Sequence, residues 1–311
     1  MKKLAIIILA ALIALSLVAC ATKDNIDVSA NDYAADANTY KIATGTLTFE
    51  IYTGDSVRIT DYVGIYTDHV IEIPQIVKSG DVELTVEVIG KEAFYYCAAA
   101  TSIILPETVA AIEDWAFAGC TSLETIVIPK NVTSIGKGAF NGCVNLKSVI
   151  FEDGSALETI GDHAFNDCSA IETITLPEGL KNIGVSSFRD CESITSLKTP
   201  ASLETIGDMA FYGCTGLNAP EALDLSASVN IKVSTVTNAN DEEIEVIAIG
   251  QFVFTGIYKS YIVVPADENS AIAKYVAAMK DPNEVEIPEE DTEAADTDTA
   301  ESEAESETET A

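Results

Sequence analysis

A frame of about 23 residues recurs six times in this chain, and it constrains the fold more than any other feature. The copies begin IGKEAFYYC, IEDWAFAGC, IGKGAFNGC, IGDHAFNDC, IGVSSFRDC and IGDMAFYGC. Their cysteines are separated by steps of 23, 23, 25, 23 and 23 residues, and their phenylalanines keep the same steps. A fixed period of this length is typical of a solenoid, in which each repeat stacks on its neighbours.

We expect two residue types to form interior ladders, with one residue in each turn of the solenoid. The phenylalanine ladder consists of Phe94, Phe117, Phe140, Phe165, Phe188 and Phe211. The cysteine ladder consists of Cys97, Cys120, Cys143, Cys168, Cys191 and Cys214. One repeat buries too little apolar surface to offset the entropy of ordering its backbone, so stability must come from stacking.

Each repeat also predicts one short strand after its cysteine. In the second repeat Leu123, Ile126 and Ile128 lie three, six and eight residues after Cys120. The alternation of the last two places both on the buried face of a strand. A proline such as Pro129 often follows and ends the strand, and the glycine before each Ala-Phe pair predicts a tight turn onto the opposite side.

The frame I-G-x-x-A-F-x-x-C-x-x-L-x-x-I-x-I-P-x-x-V-x-x resembles the BspA-like class of bacterial leucine-rich repeats. The resemblance covers residues 89–217 closely and extends more loosely from Tyr62 to Pro265. It implies a β-rich leucine-rich-repeat solenoid, with a short strand plus a turn or short helix in each 23-residue repeat. Proteins of this class are typically surface or secreted proteins that bind other proteins, host matrix or mucosal components, or neighbouring cells. The resemblance does not name the ligand.

The cysteine ladder allows three interpretations: buried thiols, disulfides between adjacent turns, or a metal site. A tetrahedral zinc site needs about four ligands that converge on one point, whereas a ladder spreads its thiols along an axis. A free cysteine beside a row of phenylalanines behaves as a small buried hydrophobe. We favour buried thiols, and we expect neither a bound metal nor a cofactor.

The first 40 residues predict export and attachment to a membrane. A short basic start precedes an apolar run of signal-peptide length, which ends in Leu-Val-Ala-Cys at Cys20. This ending resembles the lipobox of bacterial lipoproteins, so residues 1–19 would be removed and the Cys20 thiol would receive a diacylglycerol. An ordinary secretory signal, with Cys20 incidental, is the alternative. Residues 20–40 are polar and predict a flexible lipidated tether.

Segments of different character flank the repeats. Residues 41–88 alternate with period two and predict an N-terminal β cap. Residues 218–281 predict an insertion with a hairpin of strands at 229–233 and 243–247, a degenerate last repeat, and a capping helix at 270–280 that begins at Ser270. Residues 282–311 predict a disordered acidic tail. We interpret the tail as solubilising, although an electrostatic or calcium-attracting role is the alternative.

Composition argues against nucleic-acid binding and against catalysis. The chain has 50 acidic and 17 basic residues, a formal net charge of −33, and such a surface repels phosphate backbones. The two histidines, His69 and His163, leave little scope for histidine-based catalysis. We therefore expect a protein that is not an enzyme, with no catalytic residue.

The outward positions of the repeated strands are the candidate binding surface. They include an aliphatic stripe, Ile104, Val127 and Ile150, flanked by polar side chains. The full set of candidate binding residues is Ile104, Glu124, Thr125, Val127, Lys147, Ile150, Glu172 and Thr175. The alternative is that β-branched residues simply fill a solvated sheet. A second possible patch comprises Tyr95, Tyr96, Trp115 and Tyr212.

Together these features predict a lipid-anchored, extracytoplasmic surface protein that binds an extracellular protein, or a ligand on a host or neighbouring cell, without chemistry. Two other hypotheses remain. One is an envelope scaffold that binds glycan, and the other is an accessory module of a degradative enzyme system.

Overall fold

The computed structural model describes residues 39–64, 70–220, 222–228, 230–237, 243–247, 249–255, 257 and 262–279. The predicted signal peptide, Cys20, nearly all of the tether and the acidic tail lie outside these residues. The described residues form a β-solenoid, which confirms the β-rich fold class. We number its turns as rungs one to seven, according to the phenylalanine at the centre of each.

Each of rungs one to six has two strands on opposite sides of the core, whereas the sequence predicted one. The additional strands lie just before the repeated glycine, or before Glu113 in rung two: Ala111–Ile112 (β8), Ser134–Ile135 (β10), Thr159–Ile160 (β12), Asn182–Ile183 (β14) and Thr205–Ile206 (β16). The predicted strands follow the cysteines: Ser102–Ile104 (β7), Thr125–Ile128 (β9), Ser148–Phe151 (β11), Thr173–Ile174 (β13) and Leu197–Lys198 (β15).

The N-terminal segment is made of strands that join the repeats directly. They are Thr39–Ile42 (β1), Gly45–Thr53 (β2), Ser56–Gly64 (β3), Val70–Glu72 (β4), Ile76–Ser79 (β5) and Val82–Ile89 (β6). The first sheet runs β1-β2-β3-β6-β8-β10-β12-β14-β16, with β5 also paired to β6. The second sheet runs β13-β11-β9-β7-β4, so β4 already belongs to the solenoid. From β6 through β16 the strands of the first sheet pair in parallel, and Ile89, Ile112 and Ile135 lie in register.

The sixth rung shows where the sequence interpretation was incomplete. Its strand, Leu223–Asp224 (β17), lies inside the segment interpreted as an insertion, and Leu223 pairs with Leu197. Leu223 lies nine residues after Cys214, whereas the equivalent Leu197 lies six residues after Cys191. The strand of rung six is therefore displaced by three residues relative to the other repeats, beyond Pro220. A third sheet, β15-β17-β20, continues from here to Ile262–Val263 (β20).

The predicted hairpin is present, but the position predicted for its first strand is wrong. Val233–Thr237 (β18) pairs antiparallel with Glu243–Ile247 (β19). A single 3-10 turn, Thr215–Leu217, follows Cys214. The C-terminal helix Ala271–Ala278 (α1) begins at Ser270, whose side chain accepts a hydrogen bond from the Ala273 amide at 3.3 Å. That helix start agrees with the sequence.

Between the two strands of each rung lies an arc of six residues that ends just before the cysteine. In the second rung this arc is residues 114–119. Its residues Trp115 and Gly119 have positive φ, 58° and 71°, and the equivalent residues of rungs one to six do too. Amides of the arc donate to carbonyls of the next rung, as in Phe117 N to Ala139 O at 2.7 Å. The arcs therefore form a hydrogen-bonded ladder outside the β-sheets.

The repeated glycine before each arc is required for a reason other than the predicted turn conformation. Gly136, Gly161 and Gly184 are absent from the positive-φ positions. A Cβ at position 161 would lie 2.8 Å from the carbonyl carbon of Gly136 in the preceding rung. The glycine is needed because two backbones pass too close for any side chain.

Candidate interaction surface

The phenylalanine ladder is a continuous stack of rings along the solenoid axis. Neighbouring repeat phenylalanines have ring centroids 5.1–5.4 Å apart, with interplanar angles of 1–19°. Phe254 extends the stack by one ring at 5.9 Å. All of these rings are buried, so they hold the rungs together and are not accessible to a partner.

Two tyrosines close the stack, and the sequence did not reveal either. Tyr62 stacks on Phe94 with centroids 5.2 Å apart, and Tyr275 of α1 meets Phe254 edge-on at 6.1 Å. The Tyr275 hydroxyl donates to the Gly250 carbonyl at 2.9 Å. Burial raises the pKa of Tyr275. Neither tyrosine lies on the repeat period, so only the alternation around Tyr62 and the helical spacing around Tyr275 could have pointed to them.

The cysteines lie beside this stack as free thiols. Each of the five buried cysteines donates its S–H to the phenylalanine carbonyl of the preceding rung, as in Cys168 Sγ to Phe140 O at 3.1 Å. Burial raises the pKa of Cys120, Cys168, Cys191 and Cys214 well above its ordinary value. Cys97, at the N-terminal end, is only half-buried.

The aliphatic stripe lies on the outer face of the second sheet. The pairing places Glu72, Ile104, Val127 and Ile150 side by side in one row across four strands. Val127 is 42% exposed, and the two isoleucines are half-buried. Two residues earlier in each strand lies a parallel row: Val70, Ser102, Thr125, Ser148 and Thr173.

Charged residues border the stripe on the side where the strands begin. The Lys147 ammonium lies 3.1 Å from a Glu124 carboxylate oxygen of the preceding rung. Glu172 follows on the next rung, and its amide donates to the Lys147 carbonyl at 3.1 Å. Thr175, just beyond β13, is exposed. The structure thus brings the predicted binding residues of rungs one to four onto one face, with the charged residues at the start of the strands, the Ser/Thr row next and the aliphatic row beyond it.

The second predicted patch is divided between two places. Tyr95, Tyr96 and Trp115 lie on the arcs of rungs one and two, and we call these three residues the aromatic corner. The Tyr95 and Tyr96 rings meet edge-on at 4.4 Å. Tyr212 lies in rung six, where the Arg189 guanidinium is 5.2 Å from its ring centroid. Tyr212 therefore lies at least four rungs away from the other three residues along the axis.

Potential metal ligands and histidines bear most directly on catalysis. Among the described residues, no group of three or more His, Cys, Asp or Glu side chains is placed to hold a metal ion. His163 lies on an arc in the left-handed conformation, and burial, with Lys137 and Arg189 nearby, lowers its pKa. The other histidine, His69, lies outside the described residues. In the described parts of the chain no helix is long and apolar enough to span a membrane.

Aspartates on alternate rungs add a feature that the sequence did not reveal. Asp114, Asp162 and Asp208 each accept a backbone N–H from the following rung at 2.7 Å. A carboxylate at this position satisfies an amide that the solenoid would otherwise leave to solvent. These aspartates are therefore structural and do not form a candidate binding site.

Comparison with known proteins places the repeats in one sequence family. Residues 87–218 match the model of the BspA type leucine rich repeat region, in six copies. A leucine-rich repeat protein from Bacteroides ovatus ATCC 8483 is 28% identical, with a TM-score of 0.56 over 75% of this chain and 55% of that one. No curated protein matches the chain.

Two further solved structures are similar. One is a leucine rich cell surface protein from Faecalibacterium prausnitzii A2-165, with 26% identity and a TM-score of 0.56 over 76% of this chain and 58% of that one. The other is the Leucine Rich Repeat protein of T. pallidum, with 26% identity and a TM-score of 0.55 over 74% and 91%. The chain thus spans little more than half the length of the Bacteroides and Faecalibacterium proteins.

Proposed function

Residues 87–218 are a BspA-type leucine-rich repeat region, as the repeated frame predicted, and from this premise we propose that the protein is a cell-surface scaffold that binds another protein. The outer face of the second sheet is the binding surface. The observation that carries this proposal is the in-register row of Ile104, Val127 and Ile150, whose central member is 42% exposed.

The surroundings of the row favour a protein partner. The stripe is aliphatic, so its burial by a complementary apolar surface would be favourable by about 25 cal/mol per Å². The charged border of Glu124, Lys147 and Glu172 would then lie at the rim, where charges influence partner selection more than affinity. A rigid sheet also loses little conformational entropy when a partner docks.

A binding panel with variants that introduce negative charge tests this surface. Immobilised mucin and extracellular matrix proteins are probed with the wild-type chain and with the double variant Ile104→Asp, Val127→Asp. We expect the double variant to lose at least about tenfold in affinity for any protein that the wild type binds, because each aspartate buries a carboxylate in an apolar contact. Ala156→Asp, which adds one negative charge at an exposed position on the extra turn of rung four, is the control for added charge.

If the double variant binds every panel protein as tightly as the wild type does, the second sheet is not the interface. Equal losses in the double variant and in the Ala156→Asp control would likewise contradict the proposal, since they would indicate a general effect of negative charge.

We also propose that Cys20 anchors the protein to the extracytoplasmic side of a membrane. The support is the Leu-Val-Ala-Cys sequence after an apolar run of signal-peptide length. A surface location is supported by the similarity to the leucine rich cell surface protein from Faecalibacterium prausnitzii A2-165. Cells that express the chain are fed an alkyne-tagged fatty acid, which should label the wild type and not Cys20→Ala. Equal labelling of the two would contradict the anchor.

A further inference from the structure

We propose that the aromatic corner and the arcs next to it bind an uncharged, extended β-1,4-linked polysaccharide, with its sugars aligned along the solenoid axis. This site is on the arcs, separate from the second sheet that we assign to a protein partner. The ligand class follows from four features of the arcs: seated aromatic rings, an open glycine track, side-chain amides and the spacing of the rungs.

The first feature is that glycines in the next rung make room for two aromatic rings. A Cβ at position 119 would lie 2.6 Å from Cδ1 of Tyr96, and one at position 138 would lie 2.5 Å from Cζ3 of Trp115. Both rings therefore rest against bare backbone of the following rung. Tyr96 is nevertheless 60% exposed and Tyr95 is 46% exposed. The Tyr96 ring is supported on one side and exposed, so it can stack on the C–H face of a pyranose, whereas Trp115 is half-buried.

The second feature is the open track that continues from Tyr96 along the axis. The equivalent position is Gly119 in rung two and Gly142 in rung three. A Cβ at position 142 would meet no atom within 4 Å. Because both glycines have φ near +70°, larger side chains are disfavoured there. The Tyr96 ring itself covers Gly119, so a chain stacked on Tyr96 could continue over Gly142 of rung three without meeting a side chain at this position.

The third feature is a polar border of the kind that sugar hydroxyls need. Asn141 and Asn166, one position before the glycine track, lie on consecutive rungs, and the Asn166 amide donates to Asn141 Oδ1 at 2.9 Å. Each amide can make more bonds than this one. The Lys137 ammonium lies 5.6 Å from the centroid of the Trp115 ring and adds N–H donors beside it. Equatorial hydroxyls of a stacked sugar point sideways, toward groups placed in this way.

The fourth feature is that the spacing of the rungs matches a particular linkage. The ring centroids of the phenylalanine stack repeat every 5.1–5.4 Å. An extended β-1,4-linked pyranose chain advances by nearly the same length for each sugar, so one rung lies beside one sugar. Because successive sugars in such a chain are turned over, the same edge of the sugar returns at every second rung. An α-1,4-linked chain coils and would leave this register after one or two residues.

Charge restricts the ligand to uncharged glycans. The chain carries a formal charge of −33. Asp167 and Asp190 continue the glycine track in rungs four and five, and the pKa of Asp167 is raised by burial and by the charges of Asp190 and Glu192. Uronate, sulfate or phosphate groups would be repelled at that end. Glucose and N-acetylglucosamine polymers carry no such groups.

The single tryptophan provides a direct test. Trp115 is the only tryptophan in the sequence, so a change in its emission reports on the aromatic corner alone. The wild-type chain is titrated with cellohexaose, chitohexaose and, as the α-linked comparison, maltohexaose. We expect saturable quenching or a blue shift with at least one of the two β-linked oligosaccharides, and at least about tenfold weaker binding of maltohexaose.

Variants at position 96 separate stacking from a change in fold. Tyr96→Asn should weaken binding about tenfold or more, since it removes the ring, and asparagine tolerates the left-handed backbone found at this position. Tyr96→Phe keeps the ring and should retain most of the affinity. Ile104→Asp with Val127→Asp should leave oligosaccharide binding unchanged, so the two proposals can fail independently.

Three outcomes would overturn the proposal. One is no change in Trp115 emission with either β-linked hexasaccharide at millimolar concentration. Another is equal affinity for maltohexaose, which would remove the argument from spacing. The last is unchanged binding by Tyr96→Asn when its thermal unfolding matches the wild type, which would place the sugar elsewhere.

Discussion

At the scale of single residues, the cysteines illustrate how a repeated side chain can matter for packing and remain chemically inert. Each buried thiol fills the space beside two phenylalanine rings and donates to a carbonyl of the preceding rung. Burial holds the proton on Cys120, Cys168, Cys191 and Cys214 to a higher pH than in an unfolded chain. Folding therefore favours the protonated form of these four thiols.

This shift predicts a loss of stability in alkaline solution. The thiol pKa values are higher in the folded state, so their contribution is complete below about pH 8.5, the ordinary thiol pKa. It decreases as pH rises further, because the unfolded state can then release protons that the folded state retains. Each such thiol adds a slope of up to about 1.4 kcal/mol per pH unit to the free energy of unfolding. Urea unfolding at pH 7.5 to 10 measures it.

The control for this pH dependence is the double variant Cys168→Ala, Cys191→Ala. It is less stable at pH 7.5, because it leaves two small cavities. Its alkaline slope should nevertheless be shallower than that of the wild type, since two of the ionising groups are gone. Identical slopes would show that the thiols do not set the alkaline limit.

At the scale of elements, two kinds of glycine have different purposes in the same rung. Gly161 precedes the arc and has no room for a Cβ beside the preceding rung, whereas Gly142 ends an arc with φ of +70° and open space around it. At position 161 any side chain would clash with the preceding rung and lower the stability. At position 142 asparagine and aspartate are acceptable, because both residues tolerate positive φ. Asp167 and Asp190 indeed occupy the position equivalent to Gly142.

We therefore predict opposite tolerances at the two positions. Gly161→Ala should lower the free energy of unfolding by about 1–3 kcal/mol, because the new methyl group forces two backbones apart. Gly142→Asn should change it by no more than about 0.5 kcal/mol. Chemical denaturation of both variants beside the wild type measures the difference. A larger loss in Gly142→Asn than in Gly161→Ala would mean that the conformation, and not the close approach, dominates.

Local patterns explain which elements could be predicted from sequence. The strand after each cysteine was visible because Ile126 and Ile128 alternate with outward residues. The strand before each glycine was not, since two residues such as Ser134–Ile135 show no period. The left-handed positions were hidden too, because they hold residue types as different as Trp115 and His163. The sequence indicated which residues would form the aliphatic stripe, but only the observed strand pairing shows that they lie side by side.

At the scale of the whole molecule, stability is distributed along one axis. Each rung contacts its neighbours, so unfolding should begin at whichever end is least well covered. The C-terminal end depends on Tyr275, which contacts Phe254 edge-on and donates to the Gly250 carbonyl. Ion pairs between rungs, such as Lys181 Nζ with Glu158 Oε1 at 2.7 Å, add little to the stability of the fold because they are exposed to solvent.

Tyr275→Ala should loosen the C-terminal rungs before the central ones. Without the ring, Phe254 loses its cover and the last rung loses one side-chain hydrogen bond. Hydrogen exchange followed by mass spectrometry should show protection lost first in peptides around residues 249–255, while peptides around residues 135–146 keep wild-type protection. Tyr275→Phe, which removes only the hydroxyl, should show a smaller effect. Uniform loss across all rungs would indicate one cooperative unit.

The direction of the arc ladder has a consequence for how such a chain can change length over generations. Backbone amides of each arc donate to carbonyls of the following rung, and its carbonyls accept from amides of the preceding rung. Phe94 N donates to Ala116 O in this way, and Phe117 N to Ala139 O. If one whole repeat were duplicated, the new repeat could form the same arc-to-arc hydrogen bonds with both of its neighbours. The two ends of the solenoid, closed by Tyr62 and Tyr275, would not change. Tandem copying and loss of repeats are thus permitted by the hydrogen bonding itself, and the surface can be lengthened or shortened in whole units.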